Sequence, residues 1–261
     1  MIAAWPGPTP PPFDWREADH MTLYELKAKF GFDSDKGGEY FTLYQQHLEP
    51  IRHQAIDLLE VGIHKGGSLQ LWAEYMPEAR IHGVDLRLPD IPAHPRIHME
   101  VADQSSKEQL GAAMARWGVR AFDVIVDDAS HFGRMSARTF DILFRDHLKP
   151  GGVYFVEDWG TGYWPDWPDG EAVDTGPRPG ALDDPRPLLP PFNKARGEHA
   201  LKSHHAGMVG FVKSLIDLLS VDDIRQTKGG ADVAALGLEA IDFRPGIVAV
   251  RKRADAPAIA S

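Results

Sequence analysis

Two observations predict an α/β fold in which a parallel sheet carries helices on both faces. Five short apolar runs of strand length, several ending on a carboxylate, alternate with segments whose apolar residues recur at helical spacing. Runs that are apolar throughout, instead of alternating with polar residues, belong to strands buried on both faces, as in parallel sheets.

The elements follow in order. Pro6, Pro8, Pro10, Pro11 and Pro12 hold an extended backbone, so residues 1–15 are read as a tail. Residues 16–54 hold two helices. Thr22 and Glu25 have capping-box spacing at the head of the first, and Phe41, Tyr44 and Leu48 recur at helical intervals in the second. The expected strands are residues 56–61, 80–85, 96–101, 122–127 and 152–157. Between the first two, Leu69, Trp72, Ala73 and Met76 mark one helix face, with Ser68 at the expected N-cap. Leu110, Ala113, Met114 and Trp117 repeat the pattern, as do Phe140, Leu143 and Phe144. Residues 159–200 interrupt it with Pro, Gly, Asp and Trp, which reads as a lid or substrate insertion. A helix with Met208, Phe211, Val212, Leu215 and Leu219 on one face follows. Two short runs around Arg244 and Pro245 then read as an antiparallel hairpin. The main domain is expected over 55–251, with 252–261 as a second tail.

Composition narrows the function. The 261 residues include 28 Lys plus Arg against 38 Asp plus Glu, a formal charge of −10, which argues against nucleic-acid partners and anionic membrane surfaces. With no Cys, thiolate nucleophiles, zinc–thiolate sites and iron–sulfur clusters are excluded, and any metal must be held by Asp, Glu, His or carbonyl oxygen. There is no membrane-length apolar run and no signal-peptide order at the N-terminus, so a cytoplasmic location is expected. A homo-oligomer remains compatible with these features.

In a parallel sheet, ligands bind beyond the carboxyl ends of the strands. Glu60, Gly62, Gly66, Gly67 and Ser68 form a strand, a glycine turn and a helix start. The spacing is not G-x-G-x-x-G, which favours a cofactor without a pyrophosphate. Asp85 ends the second strand, where a carboxylate accepts ribose hydroxyls, and Asp103, Gln104 and Ser105 follow the third, where an adenine edge would lie. Asp127, Asp128 and His131 follow the fourth strand, and Glu157 and Asp158 the fifth. Carboxylates gathered in one cleft repel unless a cation offsets them, and a hard ion such as Mg²⁺ prefers oxygen. Such an ion would lower an acceptor hydroxyl's pKa and leave His131 to take the proton. Asp127 is expected on the cofactor side or capping the turn.

The order of elements, E-V-G-x-x-x-G-G-S, an Asp after strands two and three, and Leu148-Lys149-Pro150-Gly151-Gly152 before strand five together resemble the class I S-adenosylmethionine-dependent methyltransferases. The resemblance covers about residues 55 to 251 and implies a Rossmann-like, mostly parallel seven-stranded sheet with a C-terminal antiparallel hairpin. D-D-x-S-H, V-E-D and the following Tyr163-Trp164-Pro165 resemble more closely the metal-dependent sugar O-methyltransferases of macrolide biosynthesis, of the macrocin and mycinamicin type, and related rhamnosyl and cephalosporin-hydroxylase-like proteins. That resemblance implies Asp128, Glu157 and Asp158 as metal ligands and His131 as general base. Asp35-Lys36-Gly37-Gly38 is similar to a stretch that such proteins place ahead of the core, near the cofactor. The expected cofactor residues are thus Lys36, Glu60, Gly62, Ser68, Asp85, Asp103, Gln104 and Asp127, with S-adenosylmethionine and Mg²⁺ as cofactors. The expected acceptor is a small molecule, a sugar or another vicinal diol. The alternatives are a hydroxylase-like oxidoreductase, distinguished by product mass, and a cofactor-binding protein without turnover.

Overall fold

The structure, a computed structural model, describes residues 20–173, 204–221 and 236–256. The tail at 1–15, residues 174–200 of the expected insertion and residues 257–261 lie outside the described residues. Helix α1 spans Leu23–Phe30 and opens on the expected capping box: Thr22 Oγ1 accepts from the Glu25 amide while the Glu25 carboxylate accepts from the Thr22 amide. Helix α2 follows at Gly38–Leu48. Then come β1 (Asp57–Val61), α3 (Gly67–Tyr75), β2 (Arg80–Asp85), β3 (Ile97–Val101), α4 (Lys107–Trp117), β4 (Phe122–Asp127), α5 (Gly133–Asp146) and β5 (Leu148–Glu157). Helix α6 (Gly207–Leu219) and the hairpin β6 (Leu238–Arg244) and β7 (Ile247–Lys252) close the described fold.

The seven strands form one sheet in the order β3-β2-β1-β4-β5-β7-β6. Strands β1 to β5 are parallel, and β7 runs antiparallel between β5 and β6. The expected seven-stranded, Rossmann-like sheet with its antiparallel hairpin is therefore borne out. Chain order reverses between β1 and β4, which makes the carboxyl ends of those strands the natural ligand crevice. Each face of the sheet has its own core. One gathers Leu26, Phe41, Tyr44, Trp72, Val126 and Phe155 beneath α1, α2 and α3. The other gathers Leu110, Phe140, Phe144, Tyr154, Phe211 and Leu215 beneath α4, α5 and α6.

Several local expectations are corrected. Helix α3 is preceded by Gly66 in the left-handed region, so Ser68 lies inside the first turn and is not the cap. Strand β5 starts at Leu148, earlier than expected, because Leu148 already pairs with Phe122, ahead of a register shift after which Val153 pairs with Val124. On α6 the buried stripe ends at Leu215, and Leu219 is 37% exposed. No helix among the described residues is long and apolar enough to cross a membrane.

Candidate active site

Strand β1 leads into its loop at Gly62, where φ is +88° and a Cβ would overlap the carbonyl oxygen of Asp128. Only glycine permits the loops after β1 and β4 to touch in this way. Asp85, at the end of β2, fixes the same loop: its Oδ2 accepts from the amides of Ile63 (2.9 Å) and His64 (3.1 Å), and its Oδ1 from that of Arg87 (3.2 Å). Glu60 is fully buried on β1. Its Oε2 accepts from Ser68 Oγ (2.8 Å) and Trp72 Nε1 (3.3 Å), whereas Oε1 has no hydrogen-bond partner among the described residues. Burial pushes the Glu60 carboxyl up. Beside it lies a cavity of about 110 Å³ lined in part by Ser34, Lys36, Gly62, His64, Ser68 and Asp128.

Strands β4 and β5 pair in parallel with Asp127 opposite Val156, which sets Asp128 and Glu157 side by side just beyond the ladder. Between them stands the Lys36 ammonium, delivered from the turn ahead of α2. It pairs with Asp128, with Glu157 Oε1 at 2.8 Å and with Glu60 Oε1 at 3.3 Å, and the residue is 4% exposed. Desolvation alone would lower its pKa, but the three carboxylates outweigh that and hold it well above the ordinary lysine range. Burial, then the neighbouring charge of Asp128, pushes Glu157 well above the carboxylate range despite Lys36. Burial raises Asp128 in the same way.

On the outer side of Asp128, His131 Nε2 lies 3.7 Å from Asp128 Oδ1 and 3.5 Å from Asp158 Oδ2. Ligand atoms of Asp128, His131 and Asp158 fall within 4.8 Å of one another, as do those of Glu60, Asp128 and Glu157. His131 and Asp158 both have left-handed backbones, at φ +53° and +52°. For non-glycine residues this is a strained conformation that surrounding contacts must hold. Here Trp167 Nε1 donates to the His131 carbonyl at 3.0 Å, and Thr161 Oγ1 donates to the Asp158 carbonyl at 2.9 Å, with the His131 carbonyl 3.3 Å away as its alternative.

The remaining expected residues lie apart from the cavity. Asp103 accepts from the amide and hydroxyl of Ser105, both at 2.8 Å, and so closes its own turn. Gln104 is buried and bridges Thr139 Oγ1 (3.0 Å) to the Ser130 amide (3.1 Å), which ties the β3 loop to the β4 loop. Asp127, expected on the cofactor side or capping the turn, faces the opposite side of the sheet, next to Tyr154, and accepts from the Ala129 amide as a turn cap does. There its Oδ2 accepts from the Tyr154 hydroxyl at 3.3 Å, and burial pushes its carboxyl up to about 7. Successive residues of a strand point to opposite faces, so Asp127 and Asp128 cannot both serve one rim. Two residues at the rim were not anticipated: Tyr44, legible only as an apolar repeat, donates to Glu157, and Tyr40, one turn earlier, donates to Asp158.

The sheet order and the loop geometry are those of a class I S-adenosylmethionine-dependent methyltransferase fold. No protein-family model matches the chain. It is 31% identical over 232 residues to the 8-demethyl-8-alpha-L-rhamnosyl tetracenomycin-C 2'-O-methyltransferase of Streptomyces olivaceus, a match covering 85% of this chain and 53% of that protein. It is also 31% identical to the demethylmacrocin O-methyltransferase of Streptomyces fradiae, over 75% of this chain and 44% of the relative. Among solved structures, the MycE methyltransferase of mycinamycin biosynthesis, in complex with Mg and SAH, superposes with a TM-score of 0.68 at 24% identity, covering 92% of this chain and 57% of that one. The chain thus spans about half the length of the curated relatives it matches. Those relatives are macrolide and tetracenomycin sugar O-methyltransferases.

Proposed function

We propose that this chain catalyses S-adenosylmethionine-dependent O-methylation of a sugar hydroxyl on a small-molecule glycoside, with a divalent cation, Mg²⁺ by preference. The observation that carries the reading is the set of carboxylates at the ends of β4 and β5, with His131 between two of them, beside the glycine-loop cavity. The names of the relatives, which include an L-olivosyl-oleandolide 3-O-methyltransferase of Streptomyces antibioticus, favour a deoxysugar carried on a polyketide as acceptor.

The residues fit both groups. Glu60 Oε1, buried and 3.3 Å from the Lys36 ammonium but without a well-aligned hydrogen bond among the described residues, retains acceptor capacity that suits the ammonium of a methionine moiety, and Ser68 and Gly62 line the cavity that would receive it. The donor set of Asp128, Glu157 and Asp158 is all oxygen and matches a hard cation, with Asp128 common to two groupings, one with His131 and Asp158 and the other with Glu60 and Glu157. Both contacts to Glu157 fall on Oε1, which leaves Oε2 for another partner. Held there, the cofactor would supply a methyl group on a positively charged sulfur, and a cation on Asp128, Glu157 and Asp158 would lower the pKa of an acceptor hydroxyl. Asp85 keeps the loop in the conformation that shapes the cavity. His131 Nε2, facing the rim, takes the acceptor proton. Of the tryptophans after β5, Trp159 and Trp167 spend their indole N–H groups on the carbonyls of Arg244 and His131, while Trp164 is 49% exposed. That leaves Trp164 as the face for an acceptor.

The test incubates the chain with S-adenosylmethionine and rhamnosyl or olivosyl polyketides, with Mg²⁺ or with EDTA. A product heavier by one CH₂, lost in EDTA and restored by Mg²⁺, is expected. Full-rate methylation by metal-free protein overturns the metal assignment, and a product heavier by one oxygen overturns the reaction class.

A further inference from the structure

We infer that Tyr40 and Tyr44 on α2 are positioning residues of the metal-ligand carboxylates, acting from one face of a helix outside the strand–helix core. The inference rests on the metal reading above.

The two hydroxyls are one helical turn apart, and side chains at i and i+4 share a face. Strand ends β4 and β5 run side by side, so two adjacent carboxylates of the β5 end, Glu157 and Asp158, meet two stacked phenols. Tyr44 OH donates to Glu157 Oε1 and Tyr40 OH donates to Asp158 Oδ1. A tyrosine hydroxyl has one proton. For Tyr40 it goes to the charged acceptor, with the Gly246 carbonyl 3.1 Å away as the alternative. Gly246, in the turn of the β6–β7 hairpin, has φ +80°, and a Cβ there would overlap the Tyr40 hydroxyl. The hairpin turn is thus shaped around Tyr40.

These contacts suit metal ligation for a specific reason. Adjacent strand residues point to opposite faces, so Glu157 and Asp158 can approach one ion only if the chain turns between them. Asp158 does turn, into the left-handed region at φ +52°, and Tyr40 holds the side chain of this strained residue. Tyr44 and Lys36 share a single oxygen of Glu157, so neither contact occupies the other oxygen. Tyr44 is buried against Trp72 and Phe155, with ring centroids 4.8 and 4.5 Å away, so its hydroxyl has little freedom to move. Partners in this position fix ligand geometry, and their loss costs about 10- to 100-fold in metal affinity.

The experiment measures Mn²⁺ binding to the full chain by calorimetry or electron paramagnetic resonance in wild type, Tyr40→Phe and Tyr44→Phe, with S-adenosylhomocysteine affinity and thermal midpoint recorded alongside. Tyr40 is partly exposed, so its phenylalanine variant keeps the fold testable even where Tyr44→Phe disturbs the core. The expected result is an Mn²⁺ dissociation constant raised about 10-fold or more in Tyr40→Phe, with S-adenosylhomocysteine affinity within about twofold of wild type and turnover recovered at saturating metal. Wild type that binds Mn²⁺ and a Tyr40→Phe variant that binds it equally well overturn the positioning role and leave the metal reading standing. Wild type without saturable Mn²⁺ binding overturns the metal reading and this inference with it.

Discussion

The two ends of the central strands both gather charge, in opposite ways. At the amino end, Asp57 is met by Arg80 at 2.8 Å and by His82 at 3.0 Å, and Asp123 by Lys149 at 2.7 Å. Two carboxylates face two permanent cations and an imidazole, and partners outweigh burial: hydrogen bonds from His82 and Arg80 hold Asp57 below the ordinary carboxylate range. At the carboxyl end, Glu60, Asp128, Glu157 and Asp158 converge, and among the described residues Lys36 is the one lysine or arginine paired with any of them. There burial wins, and the carboxyls of Glu60, Asp128 and Glu157 are all pushed up. A balanced cluster clasps strands together. An unbalanced one costs stability that packing elsewhere must offset, and such perturbed groups concentrate where a ligand completes the charge.

The sharpest break between the two ends should come in turnover. His131→Ala should lower the methylation rate by about 10² to 10⁴, and Asp158→Ala should abolish the Mg²⁺-dependent rate, with the thermal midpoint of each within a few degrees of wild type. Asp123→Asn, at the other end, should leave steady-state kinetics unchanged. Equal kinetic losses at both ends would mean that the rim acts through stability alone.

Next in size is the loss of a cation from each cluster, read as unfolding free energy in urea. Lys36→Met should destabilise by about 3 to 5 kcal/mol, because it strands buried carboxylates. Lys149→Met removes a partner that is 39% exposed and should cost no more than about 1 kcal/mol. Similar costs for both would erase the difference in burial on which the contrast rests. Asp85→Ala, which frees the loop amides of Ile63 and His64, should weaken S-adenosylhomocysteine binding by about 1 to 3 kcal/mol in calorimetry, with little change in Mn²⁺ affinity.

Most of the sheet was legible because β1, β2, β4 and β5 are short, largely buried runs centred on apolar residues, and the carboxylates near their carboxyl ends could be placed at one rim without any knowledge of contacts. What the pattern hid was orientation and partnership. Asp127 and Asp128 are the same residue type in adjacent positions, yet one joins the Tyr154 side and the other the Lys36 side; strand alternation implies this split but does not say which member faces the ligand. Ser68 has a capping residue's chemistry, but the glycine turn leaves the cap to Gly66 and frees the hydroxyl for Glu60. Tyr44 recurs with Phe41 and Leu48 as a core residue, and nothing local reveals that its hydroxyl meets a strand end more than a hundred residues away. Such partners are tertiary facts, visible in sequence only as an i, i+4 pair of tyrosines whose polar ends need acceptors.

The smallest expected effect is the pH dependence contributed by the amino end, opposite in sign to that of the raised carboxyls at the other end. Asp57 has a folded-state pKa below its unfolded value of about 3.9. A carboxyl of this kind binds fewer protons folded than unfolded, so its stabilisation is complete above the unfolded pKa and is lost as pH falls through the folded one. Unfolding free energy measured from pH 6 down to pH 3 should therefore decline more in wild type than in Asp57→Asn, with the two curves converging at the acid end. His82 sharpens the expectation: it is 1% exposed and 3.0 Å from Asp57, so protonating Asp57 removes the charged acceptor of a buried imidazole as well as the partner of Arg80. Parallel wild-type and Asp57→Asn curves across that window would mean that the amino-end clasp contributes nothing through charge, and that the contrast between the two ends is one of packing.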